Sequence, residues 1–235
     1  MLNTLLLGDS ISLHYRPYLF QIPSNAVSFA PNRAELAQLY PPTCARTLRQ
    51  AAKFCLNLVG RGGRSLDTPR DLNCGNSANL LKKLETCRAY NMFDADLILL
   101  NCGLRDLKLD KSTNTHNVEL EDYRNNLQQI INLTAQWHLI WLTTTPVIDG
   151  RHQRKGFDRR EADHAAYNAA AKEIMSATGV YILDLCAFTQ NLSRQQNGAI
   201  YCDHVHFDVA TRKKQAAFIA AGLDEYAQQK GLANG

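Results

Sequence analysis

Three residues, one near the start of the chain and two near its end, have the types and spacing for nucleophilic chemistry. In "TLLLGDSISLHY" an apolar run stops at Gly8, Asp9 and Ser10, a turn that lifts one hydroxyl to its tip. Near the other end, "YCDHVHFD" carries Asp203 and His206 three positions apart. A carboxylate at that spacing can accept the Nδ1–H of the imidazole and leave Nε2 to take a proton from a hydroxyl. If Ser10 opens a helix, the amides there favour negative charge developing beside it. The same residues also have a plainer use, with Asp9 or Ser10 capping a helix N-terminus. His204 lies between Asp203 and His206 and projects elsewhere if the segment is extended.

The elements that would position these groups can be read from apolar patterning. "NTLLLGD", "FCLNLVG", "ADLILLNCG", "HLIWLTTTP" and "GVYILDL" are short apolar runs ending at Gly, Pro or Asp, as strands buried on both faces do. Between them, "SANLLKKLETCRAY", "LEDYRNNLQQIINLTAQ" and "EADHAAYNAAAKEIMSAT" place apolar residues at helical intervals, and "DVATRKKQAAFIAAGLDEYAQQ" adds a C-terminal helix. The alternation predicts an α/β fold, a three-layer α/β/α sandwich on a five-stranded, mainly parallel sheet. Residues 21–54 hold Pro23, Pro31, Pro41 and Pro42 and are long for a simple connection, so the 21–70 stretch reads as an insertion or cover on one domain spanning 1–235. "TPVIDGRHQRKGFDRRE" follows a strand's carboxyl end, where open parallel sheets bind ligands, and reads either as a solvated loop or as a rim of the site.

Composition narrows the partners. A 235-residue chain with 45% hydrophobic residues and a net charge of +4 has ample core for a single domain. Its densest basic cluster, Arg151, Arg154, Lys155, Arg159 and Arg160, forms no stripe of the kind nucleic acid requires. No apolar run approaches the ~18 residues of a membrane span. The seven cysteines, without a CxxC pair, argue against a disulfide framework or a zinc site. A reducing, cytoplasmic setting is therefore the expectation, although a processed secreted form would look the same. His14, His116, His138, His152 and His164 share no metal-ligand spacing, so neither metal nor cofactor is expected. Trp137 and Trp141 bracket a strand and read as packing residues.

The pairing of "LGDSIS" with "DHVHF" before the last helix resembles the GDSL, or SGNH, hydrolases, whose three-layer fold is the one read above. "LLNCGLRDLK" is similar to the family's third block, and "TTTPV" to the end of its fourth strand. The resemblance implies a serine esterase working through an acyl-serine, with Ser10 as nucleophile, His206 as base and Asp203 orienting the imidazole. It implies loosely a small-molecule or glycan ester substrate such as an O-acetylated carbohydrate. An acyltransferase using the same triad, or a weakly active or inactive binding module, would share the pattern.

In that family the oxyanion is held by the serine amide, a glycine amide and an asparagine side chain. The resemblance implies Ser10 and Gly75 for the first two roles, with Gly63 of "VGRGGRS" the competing glycine. The third block departs from the family's Gly-x-Asn-Asp: it reads Gly103, Leu104, Arg105, Asp106. Arg105 could stabilise an alkoxide, grip a substrate carboxylate or pair with an aspartate, and Asn73 or Asn101 could substitute for the missing amide. Tyr15 and Tyr18, about one and two turns after Ser10, are candidates to line the substrate pocket.

Overall fold

The computed structural model describes residues 1–29, 73–89, 95–150 and 156–232. Strands β1 (Leu2–Leu7), β2 (Val27–Phe29), β3 (Leu97–Leu100), β6 (His138–Leu142) and β8 (Tyr181–Leu183) form one sheet in the order β2-β1-β3-β6-β8. All four pairings are parallel. Helices α1 (Ser10–Leu19), α2 (Ser77–Ala89), α3 (Leu120–Thr134), α4 (Glu161–Ala177), α5 (Leu185–Gln195) and α6 (Val209–Gln229) cover its two faces. A second, antiparallel sheet joins three two-residue strands, β4 (Leu109–Asp110), β5 (Thr115–His116) and β7 (Phe157–Asp158), in the order β5-β4-β7.

The strands are apolar on both sides because each side meets helices. Successive side chains point to opposite faces. Leu6, Leu97, Leu99, Ile140, Leu142 and Leu183 pack with α1, α5 and α6. Leu5, Leu7, Ile98, Leu100, Leu139 and Trp141 pack with α2, α3 and α4. Helix α3 shows the matching stripe, burying Tyr123, Leu127, Ile130 and Thr134 at intervals of four, three and four. Trp141 is buried in this core.

Two elements differ from expectation. Val27–Phe29 lies within the 21–70 stretch yet pairs with β1, Leu2 opposite Val27 and Thr4 opposite Phe29. Three residues flanked by turns carry too little periodicity to announce a strand. The expected strand "FCLNLVG" lies outside the described residues. Helix α5 starts where the "GVYILDL" run was expected to continue as strand. Asp184 caps it by accepting the Ala187 amide at 3.0 Å, so the chain turns into helix at Leu185. No described helix is long and apolar enough to cross a membrane.

This topology dictates where a site can form. Strand order reverses between β1, which has β2 on its other side, and β3, from which the sheet continues outward to β6 and β8. The crevice at the carboxyl ends of the strands flanking such a switch point is where ligands bind in open α/β sheets. Gly8–Ser10 and Asn101–Gly103 are the residues that follow β1 and β3 there.

Candidate active site

Ser10 leaves β1 through a turn that only glycine permits. A Cβ at Gly8 would sit 2.1 Å from Ser12 Oγ. Asp9 is the N-cap of α1, its Oδ1 accepting the Ile11 amide at 2.9 Å, so Ser10 is the first helical residue. Capping and presentation of the hydroxyl are thus both realised, by neighbouring residues. Ser10 is 5% exposed, at the mouth of the crevice rather than on open surface.

The other two groups come from a clasp ahead of α6. Tyr201 and Phe207 form an antiparallel bridge, the Cys202 amide donates to the His206 carbonyl at 2.9 Å, and the Asp208 amide donates to Ile200. The closed loop holds residues 203–206 in a tight turn. Asp208 then caps α6 by accepting the Thr211 amide at 2.7 Å. Within the turn, Asp203 Oδ1 accepts the amides of Val205 and His206 at 2.8 and 2.7 Å. Its Oδ2 lies 2.7 Å from His206 Nδ1. His206 Nε2 lies 2.9 Å from Ser10 Oγ. A continuous chain of hydrogen bonds therefore runs from carboxylate to hydroxyl across 196 residues of sequence.

Electrostatics suit each role. Burial raises the pKa of Asp203, but hydrogen bonds from the His206 ring and the Val205 and His206 amides prevail and hold the carboxyl well below the usual carboxylate range. It is ionised wherever ester hydrolysis is measured, and its anion fixes the Nδ1–H tautomer of His206. His206 is 4% exposed, shielded from bulk water. The His204 ring centroid stands 6.5 Å from that of His206.

The anion-stabilising side is built differently. The Gly8 carbonyl accepts the Cys74 amide at 2.8 Å, which lays residues 73–75 along the end of β1. Gly75 has φ of +71° and donates its amide to Asn73 Oδ1 at 2.9 Å. The amide of Gly75, the glycine expected as an oxyanion donor, is thus engaged within its own turn. Asn101 donates Nδ2 to the Leu142 carbonyl at 2.9 Å, serving the sheet. Gly63 lies outside the described residues. Arg105 is half-buried in the turn after β3, and its carbonyl accepts from Asn117 Nδ2 at 3.1 Å. Gly103 begins that turn with φ of +138°, and a Cβ there would lie 2.4 Å from Thr144 Oγ1. Asp106 ties the turn to α2 by accepting the Ser77 amide at 2.8 Å.

Tyr15 requires a correction. It is 0% exposed within the core and donates its hydroxyl to Ser12 Oγ at 3.1 Å, so it does not line a substrate pocket. Its place on α1 turns it toward the sheet. Tyr18 packs against the same apolar cluster.

Two neighbours of the site were not singled out from sequence. His14, one helical turn after Ser10, packs its ring on His206 with centroids 4.5 Å apart. The four-residue spacing from Ser10 was the available signal. Arg159 is buried beside the third-block turn, where its Nε donates to the Leu104 carbonyl at 2.6 Å. In sequence it lay in the stretch read as a solvated loop or a rim of the site, one member of a basic cluster with nothing to set it apart from its neighbours. Among the described residues, no group of three or more His, Cys, Asp or Glu side chains is placed to hold a metal ion.

Solved structures share this fold. A lipase/acylhydrolase from Enterococcus faecalis is similar in fold, with a TM-score of 0.59 at 16% identity over 96% of this chain and 97% of that one. An acetylxylan esterase from Geobacillus stearothermophilus superposes with a TM-score of 0.56 at 17% identity, covering 94% of each chain. A GDSL-like lipase from Bacteroides thetaiotaomicron gives 0.59 at 12% identity, over 95% of this chain and 88% of that one. No curated protein sequence matches the chain. The sequence profile of the GDSL-like lipase/acylhydrolase family matches residues 6–213, and the chain belongs to that family.

Proposed function

We propose that this family member hydrolyses small carboxylic esters through an acyl-serine, with an O-acetylated carbohydrate as substrate. The observation that carries the reading is the unbroken Ser10–His206–Asp203 hydrogen-bond chain. Ser10 Oγ attacks the ester carbonyl while His206 Nε2 takes its proton, and the carbonyl electron pair moves onto oxygen. Collapse of this intermediate expels the alcohol, which receives the proton from His206. Water then repeats the attack on the acyl-serine, His206 again accepting and returning the proton, and the acid leaves.

The oxyanion of both intermediates faces the Ser10 amide at the start of α1 and the Asn73–Gly75 turn. Arg105 stands where the family carries asparagine and adds positive charge. A polar, short-acyl substrate is favoured by the surface: among the described residues the exposed large apolar side chains are Met1 and Val209. A long acyl chain has little to lie against there. The fold shared with acetylxylan esterases supports the carbohydrate assignment.

Arg105 and the engaged Gly75 amide also motivate a second reading, a binding module that retains the fold but hydrolyses poorly. Acetate release from acetylated xylo-oligosaccharides, measured beside p-nitrophenyl acetate and a p-nitrophenyl ester of a long acid, separates them. Turnover of the acetyl substrates that disappears in Ser10→Ala supports the esterase. Saturable binding without turnover by the wild type supports the module. Added sugar alcohols that divert acyl groups from water would show transfer in place of hydrolysis.

A further inference from the structure

Arg159 enters the site from an unexpected direction. It follows β7 in the small antiparallel sheet, remote in sequence from both Ser10 and the third-block turn. Yet it is 4% exposed, and its Nε donates to the carbonyl of Leu104, between Gly103 and Arg105. Its guanidinium stands 5.2 Å from the Phe157 ring centroid, whose ring also lies 3.9 Å from Lys108 Nζ. Pairing of β4 with β7, Leu109 opposite Asp158, fixes the backbone from which the side chain reaches inward.

Burying a guanidinium is costly unless its charge is used. Its surroundings show a use. Burial pushes the Asp9 carboxyl above its ordinary pKa, and the Ile11 amide and the nearby charges of His206 and Arg159 pull it back. Arg159 is therefore electrostatically within reach of the residue adjoining the nucleophile. It also grips the turn that carries Arg105, the residue read from sequence at the position of the family's asparagine.

Resting on the ester-hydrolysis reading above, we infer that Arg159 is a positioning residue for the oxyanion: it holds the Gly103–Asp106 turn against the Ser10 crevice and sets a fixed positive charge behind it. Such a residue acts when negative charge develops on the substrate oxygen and contributes little to ground-state binding. The small antiparallel sheet is then a buttress that delivers Arg159.

The test is steady-state kinetics with p-nitrophenyl acetate on wild type, Arg159→Met and Arg159→Lys, with active sites titrated to completion by a fluorophosphonate. The expected result is a kcat per titrated site lowered about 10–100-fold in Arg159→Met, KM within about twofold of wild type, and partial recovery in Arg159→Lys. If Arg159→Met does not fold, Arg159→Gln, which keeps a donor and loses the charge, is read by the same criteria. Unchanged kcat per site in a folded variant overturns the inference, as does a raised KM with kcat intact. A loss of activity accounted for by fewer titratable sites shows a merely structural residue and also overturns it. A wild type with no turnover would overturn the ester-hydrolysis reading and this inference with it, an outcome distinct from wild type and Arg159→Met turning over alike.

Discussion

The two sides of the crevice are in different states of readiness. On the proton-transfer side, Asp203, His206 and Ser10 are joined at 2.7 and 2.9 Å, and the turn that carries Asp203 and His206 is closed by backbone bonds. On the side proposed to receive the oxyanion, the Gly75 amide is donated to Asn73 and one Asn101 amide hydrogen to the sheet, while Arg105 is half-buried in the turn after β3. The difference is between a connected chain of side chains poised for proton transfer and a set of donors already engaged elsewhere. Activity should then collapse when the first side is broken and be graded when the second is altered.

The largest effect belongs to the proton-transfer side. Ser10→Ala should lower kcat for p-nitrophenyl acetate by about 10⁴-fold or more, since no acyl-serine can form. Asp203→Asn should cost about 10³–10⁴-fold by losing the anion that orders the imidazole, with KM little changed. A loss under about tenfold would show that the clasp orients His206 without the charge.

Edits on the other side should be milder. Arg105→Ala is expected to lower kcat about 10–100-fold with KM steady, and Arg105→Asn, which restores the family's residue, should recover much of that loss. A raised KM alone would move Arg105 from the oxyanion to ground-state substrate binding. His14 supports the proton-transfer side, with its ring 4.5 Å from that of His206. His14→Ala should loosen the His206 ring and lower kcat about tenfold, whereas His14→Phe keeps an aromatic face and should stay near wild type.

A further effect is on stability rather than rate, at the base of the third-block turn. Burial raises the Asp106 carboxyl to about 6, against the lowering effect of its hydrogen bonds from Ser77. Because the folded value lies above the ordinary 3.8, this group's contribution is fully present below pH 3.8 and is lost as pH rises through about 6. By linkage the loss is about 3 kcal/mol. Melting curves should therefore show Asp106→Asn gaining on wild type between pH 4 and 7. A constant difference across that range would place the Asp106 carboxyl near its ordinary value.

How much of this was legible in sequence follows from the range of the interactions. Strands β1, β3, β6 and β8 announced themselves because burial on both faces demands continuous apolar runs. Ser10, Asp203 and His206 stood out because Gly8 forces a tight turn and a three-residue spacing suits a carboxylate–imidazole pair. Strand β2 did not, since three residues define no period and its identity comes from pairing with β1. Tyr15 was misplaced because spacing along a helix gives a face, whereas only tertiary packing says what that face meets. Arg159 was hidden for the same reason: its bond to Leu104 spans 55 residues and rests on strands of two residues each. The engaged Gly75 amide was likewise invisible, because an asparagine two positions earlier does not declare which way its side chain folds.

The most direct test of the account is the intact mass of the protein rapidly quenched after mixing with p-nitrophenyl acetate, followed by peptide mapping. A single acetyl group is expected on the Ser10 hydroxyl of the wild type, accumulating in step with the nitrophenol burst, and none within the burst time in His206→Ala. An acetyl group on another residue, or nitrophenol release that persists undiminished in Ser10→Ala, would contradict it.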